Sequence, residues 1–221
     1  TKATYNEISS LNQLKDFIKI YDNSVPKEWC QKIITAFDTD DEHHIKSSIG
    51  SGGTDDYREA IEMNCTKRVP DSIKWMTLMR VMNHHAAQSY KRYRSDIEKD
   101  GFPKDQLFKT VTLEQWRMHR YDIGKHYYKQ HIDSIESTSA IRMLVLLYYL
   151  NTVKEGGETS FDTIEYEESN LHWKKMKVKP VEGRLVIAPT WFGYPHSAEI
   201  PISNTKYMIK TYIHYPKAGN D

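Results

Sequence analysis

The chain has 221 residues, enough for one substantial domain and barely enough for two. Its 31 basic and 30 acidic side chains leave a formal charge of +1, which argues against a nucleic-acid tail or a general basic surface. Hydrophobic residues make up 38% of it, sufficient for a core, while the longest apolar run, Met143 to Leu150, is far too short to span a bilayer.

The first half reads as mixed and largely helical. Phe17 to Tyr21 has the pattern of a short strand. Pro26 then opens a helix from Lys27 to Phe37, with Trp29, Ile33 and Phe37 at fourfold spacing. Thr39 to Asp56 is polar, includes Ser51-Gly52-Gly53 and is expected to be a surface loop. Asp71 is a suitable N-cap for a longer helix running toward Tyr93. Ile73, Met76, Met79 and Met82 form its expected core stripe, and His84 and His85 its partly exposed side. The charged stretch from Asp96 to Lys104 links the two halves.

Strand character begins at Val111. Gln115 to Tyr121 alternates, with Trp116 and Met118 on one side, and Arg142 to Leu150 is the continuous apolar run of a central strand. Gly156-Gly157 lies in a turn, Lys175 to Lys179 alternates, and Glu182-Gly183 turns into Arg184 to Ala188. Lys206 to Tyr215 is a long aromatic and β-branched strand. The expected fold is mainly β with α: a sandwich or jelly roll with helices outside it.

His131 and Asp133 have i, i+2 spacing, which on extended chain puts both side chains on one face. His196 stands 65 residues further on. Two histidines and one carboxylate form the ligand set of a mononuclear non-haem Fe(II) site with open positions. Zn(II) accepts the same set, but the His-Glu-x-x-His helix of zinc hydrolases is absent from the sequence. Cys30 and Cys65 make neither a disulfide framework nor a cysteine metal cluster. With no signal peptide evident, a soluble cytoplasmic protein is expected.

These residues sit in a wider pattern: Tyr121, Gly124, Tyr128, His131, Asp133, Tyr149-Leu150, Gly156-Gly157-Glu158-Thr159-Ser160-Phe161, His196 and Lys206. From Tyr121 to Tyr215 the chain resembles the catalytic core of the Fe(II)- and 2-oxoglutarate-dependent dioxygenases, most of all their prolyl 4-hydroxylase-like branch and its compact microbial and phage members. Arg142 also fits. The resemblance implies a double-stranded β-helix over residues 108–216, supported by a mixed helical region over 1–107, in a single oxygenase domain over 1–221. It implies Fe(II) on His131, Asp133 and His196, with 2-oxoglutarate and O2 as cosubstrates and ascorbate as a candidate accessory reductant. The implied reaction decarboxylates 2-oxoglutarate to succinate and hydroxylates an acceptor, first of all a prolyl residue in a peptide or protein. Asp133 fills a position that a small residue leaves open to halide in the related halogenases, so hydroxylation is favoured over halogenation.

The resemblance makes Lys206 the anchor for the distal carboxylate of 2-oxoglutarate, through a charge-assisted bond, and makes Tyr121, Tyr128 and Tyr149 candidates for contact with it. Three features depart from the family pattern. The segment from Gly124 to His131 is one residue long, so Tyr127 and Tyr128 compete for one role. Lys210 replaces a small or hydroxyl residue, and Trp191 to Pro195 is unlike the animal collagen hydroxylases. Lys210 shares the strand parity of Lys206 but lies about 13 Å along the strand, facing another part of the cavity or turned outward. Glu158 and Thr159 are candidate supports of the site or rim, and Trp191 a rim or core residue. His119 and His126 are expected to be structural or solvated. Tyr57 and Arg58, with the Ser51-Gly52-Gly53 region, could form a substrate lid. A free amino acid or other small molecule is the alternative acceptor, and a non-catalytic jelly-roll binding protein the alternative class. No nucleic-acid or membrane partner is expected.

Overall fold

The computed structural model describes residues 13–47, 57–167 and 170–215. After a 3-10 turn at Leu14–Phe17 comes β1 (Lys19–Tyr21), so Phe17 lies outside the strand expected to start with it. Helix α1 (Lys27–Asp38) begins immediately after Pro26 and buries Cys30, Ile33, Ala36 and Phe37. The polar stretch expected to be loop includes β2 (Ile45–Lys46). Ser51-Gly52-Gly53 lies outside the described residues. Short strands β3 (Arg58–Glu59) and β4 (Ile61–Asn64) follow.

Helix α2 (Ile73–Lys99) corrects two expectations. Its N-cap is Ser72, whose hydroxyl accepts from the amide of Trp75 at 3.3 Å, in place of Asp71. Its buried stripe runs through Trp75, Leu78, Met79, Met82, Ala86, Tyr90, Tyr93 and Ile97. That period places Ile73 on the solvent side, where it is 80% exposed. The helix also runs further than expected, since nothing between Tyr93 and Lys99 breaks it.

Strands β5 (Thr112–Leu113), β6 (Arg117–Tyr121), β7 (Tyr127–His131), β8 (Arg142–Tyr149), β9 (Thr159–Glu167), β10 (Asn170–Val178), β11 (Leu185–Pro189), β12 (His196–Ala198) and β13 (Lys206–His214) complete the chain. They form two antiparallel sheets. The larger has the order β1-β11-β8-β13-β6-β4-β2, with β5 also on β13, and the smaller β10-β9-β12-β7-β3. This is the expected double-stranded β-helix core with flanking helices, and residues before 108 add strands to both sheets.

Strand β8 shows why the layers stack as they do. Leu144, Leu146 and Tyr148 join the cluster containing α1 and α2, whereas Val145, Leu147 and Tyr149 join the cluster between the sheets. Both faces of the strand are buried, so its sequence is continuously apolar. Each such side chain contributes roughly 1.5–3 kcal/mol on burial, and truncating Leu146 to Ala would cost about 2–5 kcal/mol. Strand β13 divides the same way: Ile209 and Ile213 face the helices, Met208 and Tyr212 the other sheet.

Candidate active site

His131 ends β7, and His196 opens β12. The two are direct partners in the ladder between these strands. Between this pair and the next, Ala198 with Tyr128, β12 advances two residues and β7 three. The extra residue of the Gly124–His131 segment is therefore taken up as a β-bulge. The bulge turns Tyr128 to the same side as His131, and their rings stack with centroids 3.5 Å apart. Tyr128, rather than Tyr127, thus lines the cavities at this site.

The nitrogens and oxygens of His131, Asp133 and His196 that could hold a metal lie within 4.8 Å of one another. Asp133 Oδ1 is 3.7 Å from His131 Nε2, and Asp133 Oδ2 is 3.4 Å from His196 Nε2. All three side chains are buried, with 7%, 4% and 6% exposure in chain order. Nδ1 of His131 is 2.9 Å from the carbonyl of Lys129, and Nδ1 of His196 is 3.2 Å from that of Tyr194. A carbonyl only accepts, so each Nδ1 carries the proton and each Nε2 presents its lone pair inward. His131 Nε2 and Asp133 Oδ2 have no hydrogen-bond partner. Buried polar atoms left orphaned so close together fit a metal ion.

Residues around Asp133 fix its position. The hydroxyl of Tyr212 donates to Asp133 Oδ1 at 2.6 Å. The guanidinium of Arg142 donates to the Asp133 carbonyl at 3.0 Å, makes two bonds to Glu114 at 2.7 and 2.9 Å, and lies 3.9 Å over the Tyr212 ring. Burial opposes ionisation of Asp133, but His196, Lys210 and His131 outweigh it and hold its pKa well below the ordinary carboxylate range. Burial, then His196, pushes the His131 pKa well below its usual value.

The other site candidates fall around this centre. Lys206 is fully buried and its ammonium donates to the Gly157 carbonyl at 2.7 Å. It lies 5.2 Å from the centroid of the Tyr121 ring and 5.3 Å from that of Tyr149. Tyr121 is its ladder partner, which brings them face to face. Tyr149 donates its hydroxyl to Thr159 at 2.7 Å. Gly156 and Gly157 both have positive φ, and a Cβ on Gly156 would collide with the Ile200 carbonyl, so the turn requires glycine there. Lys210 points inward: it is 9% exposed and its ammonium donates to the Tyr212 hydroxyl at 2.8 Å.

His119 and His126 stand outside the triad. His119 is buried against Arg58, whose guanidinium donates to its Nδ1 at 2.8 Å, and His126 Nδ1 accepts from the Asp122 amide at 2.9 Å. Arg58 corrects the lid expectation. It is a buried residue of β3, bonded to Glu62 at 3.0 Å and 4.7 Å from the Tyr128 ring, and so forms a fixed wall. Trp191 is 42% exposed, packs edge-on against Phe192 and Tyr194, and lines none of the cavities described below. Tyr212 was missed by sequence reasoning, although its parity with Lys206 and Lys210 on β13 marks it as inward-facing.

Three cavities converge on the triad. A groove of about 600 Å³ is lined by His131, Ile132, Asp162, Trp173, Lys175 and Pro195, among others. A second cavity of about 370 Å³ reaches Asp133, Tyr128, Arg142, Lys210 and Tyr212. The two meet at Ile132. A small pocket of about 20 Å³ lies between Tyr121, Leu147, Thr159 and the two histidines.

Residues 116–214 match the model of the 2OG-Fe(II) oxygenase superfamily, and both the triad and the strands that carry it lie in that span. That stretch of the chain therefore carries the sequence pattern of this superfamily. The protein is similar in structure to a prolyl hydroxylase from Trichoplax adhaerens in complex with a hypoxia inducible factor oxygen degradation domain peptide fragment. The TM-score is 0.67 at 15% identity, covering 89% of this chain and 83% of that one. It is also similar to a prolyl-4-hydroxylase from Pseudomonas putida (TM-score 0.59, 14% identity, 90% and 92% covered). A third likeness is to the viral collagen prolyl hydroxylase of Paramecium Bursaria Chlorella virus-1 (0.55, 17%, 90% and 97%). At these identities the likeness shows the shared fold. No curated protein matches the chain, and no helix among the described residues is long and apolar enough to cross a membrane.

Proposed function

We propose that this oxygenase hydroxylates a prolyl residue in a peptide or protein and converts 2-oxoglutarate to succinate and CO2, all within a single domain. The observation that carries the peptide reading is the junction at Ile132. Two depressions, of about 600 and 370 Å³, open on either side of the His131–Asp133 segment. Together they offer a path for an extended segment passing the metal ligands, more space than one amino acid needs. The peptide held by the structurally similar Trichoplax prolyl hydroxylase supports the same reading.

Within this reading, His131, Asp133 and His196 would hold Fe(II). When bound, the metal with 2-oxoglutarate and O2 supplies oxidative decarboxylation and transfer of one oxygen atom to an acceptor C–H bond. The protein's own residues bind and orient the reactants. Lys206 would exchange or share the Gly157 carbonyl with the distal carboxylate of 2-oxoglutarate, between the Tyr121 and Tyr149 rings, in a pocket closed to water. Tyr128, stacked on His131, would line the approach. Tyr212 and Arg142 hold Asp133 in place as its partners change. Ascorbate would serve as accessory reductant.

The test is an anaerobic Fe(II) titration with and without 2-oxoglutarate, followed by O2 and blocked proline peptides. Succinate and hydroxyproline in equal amounts are expected. Normal Fe(II) binding without 2-oxoglutarate consumption would instead favour the binding-protein reading.

A further inference from the structure

We infer that Lys210 is a specificity-determining residue that receives a carboxylate of the acceptor close to the carbon being oxidised. The inference rests on the oxygenase reading above and names the substrate class of that same site.

The argument begins with an unbalanced charge. Four cations line the 370 Å³ cavity: Arg58, Arg117, Arg142 and Lys210. Three already have carboxylate partners. Arg58 lies 3.0 Å and Arg117 2.5 Å from Glu62, and Arg142 lies 2.7 Å from Glu114. Lys210 forms no ion pair among the described residues. Among the described residues its acceptor is the neutral Tyr212 hydroxyl, which engages one of its three donors. Asp133 attracts Lys210. Yet its Oδ1 accepts from Tyr212, and both of its oxygens face the histidines of the metal site. Arg58 and Arg142 repel Lys210, and Glu62 is shared by two arginines. A buried ammonium without a counter-ion is costly, and an arriving anion would relieve that cost.

Position determines which anion this is. Lys210 stands on the wall shared by the 370 Å³ cavity and the small pocket, one hydroxyl away from Asp133. The bonds from Lys210 to Tyr212 and from Tyr212 to Asp133 measure 2.8 and 2.6 Å, so the ammonium is within a few ångströms of the metal ligands. Lys206 already stands four residues away, sealed against Gly157, for the far end of 2-oxoglutarate. The carboxylate on Lys210 therefore enters from the cavity with the acceptor. It can be the side chain of an acidic residue flanking the proline, or the α-carboxylate of free proline.

Calorimetry on the Fe(II)- and 2-oxoglutarate-loaded protein without oxygen tests this. The probes are pairs differing only in charge. They are N-acetyl aspartyl-proline amide with its asparaginyl counterpart, N-acetyl prolyl-aspartate amide with its asparagine counterpart, and proline with prolinamide. At least one charged member should bind about 10-fold or more tightly than its neutral partner, and the pair that discriminates identifies the source of the carboxylate. Lys210→Met should remove the preference and Lys210→Arg keep part of it, with 2-oxoglutarate affinity within about twofold of wild type. The inference fails if the wild-type protein discriminates no pair, if it binds no probe, or if the preference survives Lys210→Met. It fails too if Lys210→Met instead weakens 2-oxoglutarate, which would assign Lys210 to the cosubstrate. Failure of wild-type protein to bind 2-oxoglutarate would overturn the oxygenase reading itself, a separate result.

Discussion

The inward face of β13 carries the same side chain at two points, in different surroundings. At one end Lys206 is sealed, with no exposure, between two tyrosine rings and a glycine carbonyl. Four residues on, at the middle of the strand, Lys210 is also buried but borders the cavities at the candidate metal ligands. Burial pushes both ammonium groups down, Lys206 to about 7 and Lys210 to about 8. For Lys206 the opposing attraction comes from Glu158 and Glu199; for Lys210 it comes first from Asp133. Residue type therefore does not set the role here. A closed surrounding suits a small cosubstrate with a fixed shape, and an open one suits a variable acceptor.

The largest effect should come from removing the centre that both lysines are proposed to serve. His196→Ala should abolish tight binding of Fe(II), or of Co(II) as an air-stable stand-in, in a metal titration. If it retained wild-type metal affinity, the triad assignment would be wrong. Next is Lys206→Ala. Losing a charge-assisted contact of about 1.5–3 kcal/mol should weaken 2-oxoglutarate roughly 10- to 150-fold while metal affinity holds. An equal loss in Lys210→Met would erase the contrast between the two lysines.

Tyr212→Phe breaks the bond that holds Asp133 and removes the acceptor of Lys210 among the described residues. A drop in metal affinity of about 10- to 100-fold is expected, as for other groups that orient metal ligands. Acidity offers a gentler probe. Because the folded pKa of Lys206 lies near 7, below the unfolded value of 10.5, the free site loses its proton as pH rises through about 7. Affinity for 2-oxoglutarate should then fall by up to about tenfold per unit above that point. The unfolded chain holds the extra proton between about 7 and 10.5, so this lysine's contribution to the stability of the unliganded protein rises with pH across that window. A flat affinity profile from pH 7 to 9 would remove Lys206 from the anchor role. Smallest is Tyr149→Phe, which should cost about 0.5–1.5 kcal/mol in denaturant melts through loss of the bond to Thr159.

Patterns with strong local periodicity were legible in the sequence. The apolar run from Met143 identified the central strand, and Ile33 and Phe37 fixed the face of α1, because burial on these elements follows spacing alone. His131 and Asp133 were legible from their two-residue spacing and His196 from the wider motif pattern, although Asp133 lies just beyond the end of β7 rather than on the strand. Features that depend on a partner strand were not legible. The extra residue before His131 became meaningful only when β12 supplied a register against which it bulges. Ile73 looked like part of a core stripe because its spacing to Met76 fits a helix, but the packing face runs through Trp75 and Met79. Arg58 read as part of a substrate lid because β3 is two residues long, too short for any alternation to show.

The pairing of His131 with His196 has a consequence for how firmly the chain holds together. These residues are opposite each other on neighbouring strands, yet 65 positions of sequence separate them. An ion shared by the two would close that span as a removable clasp. Closing so long a loop takes freedom from the unfolded chain. An ion at 100 times its dissociation constant would add about 2.7 kcal/mol against unfolding. Strand β12 is only three residues long and is gripped on both sides. Chelation should therefore be felt first there, as faster amide exchange in the smaller sheet while the helix-backed sheet keeps its protection. In this protein the supply of metal would govern durability as well as chemistry.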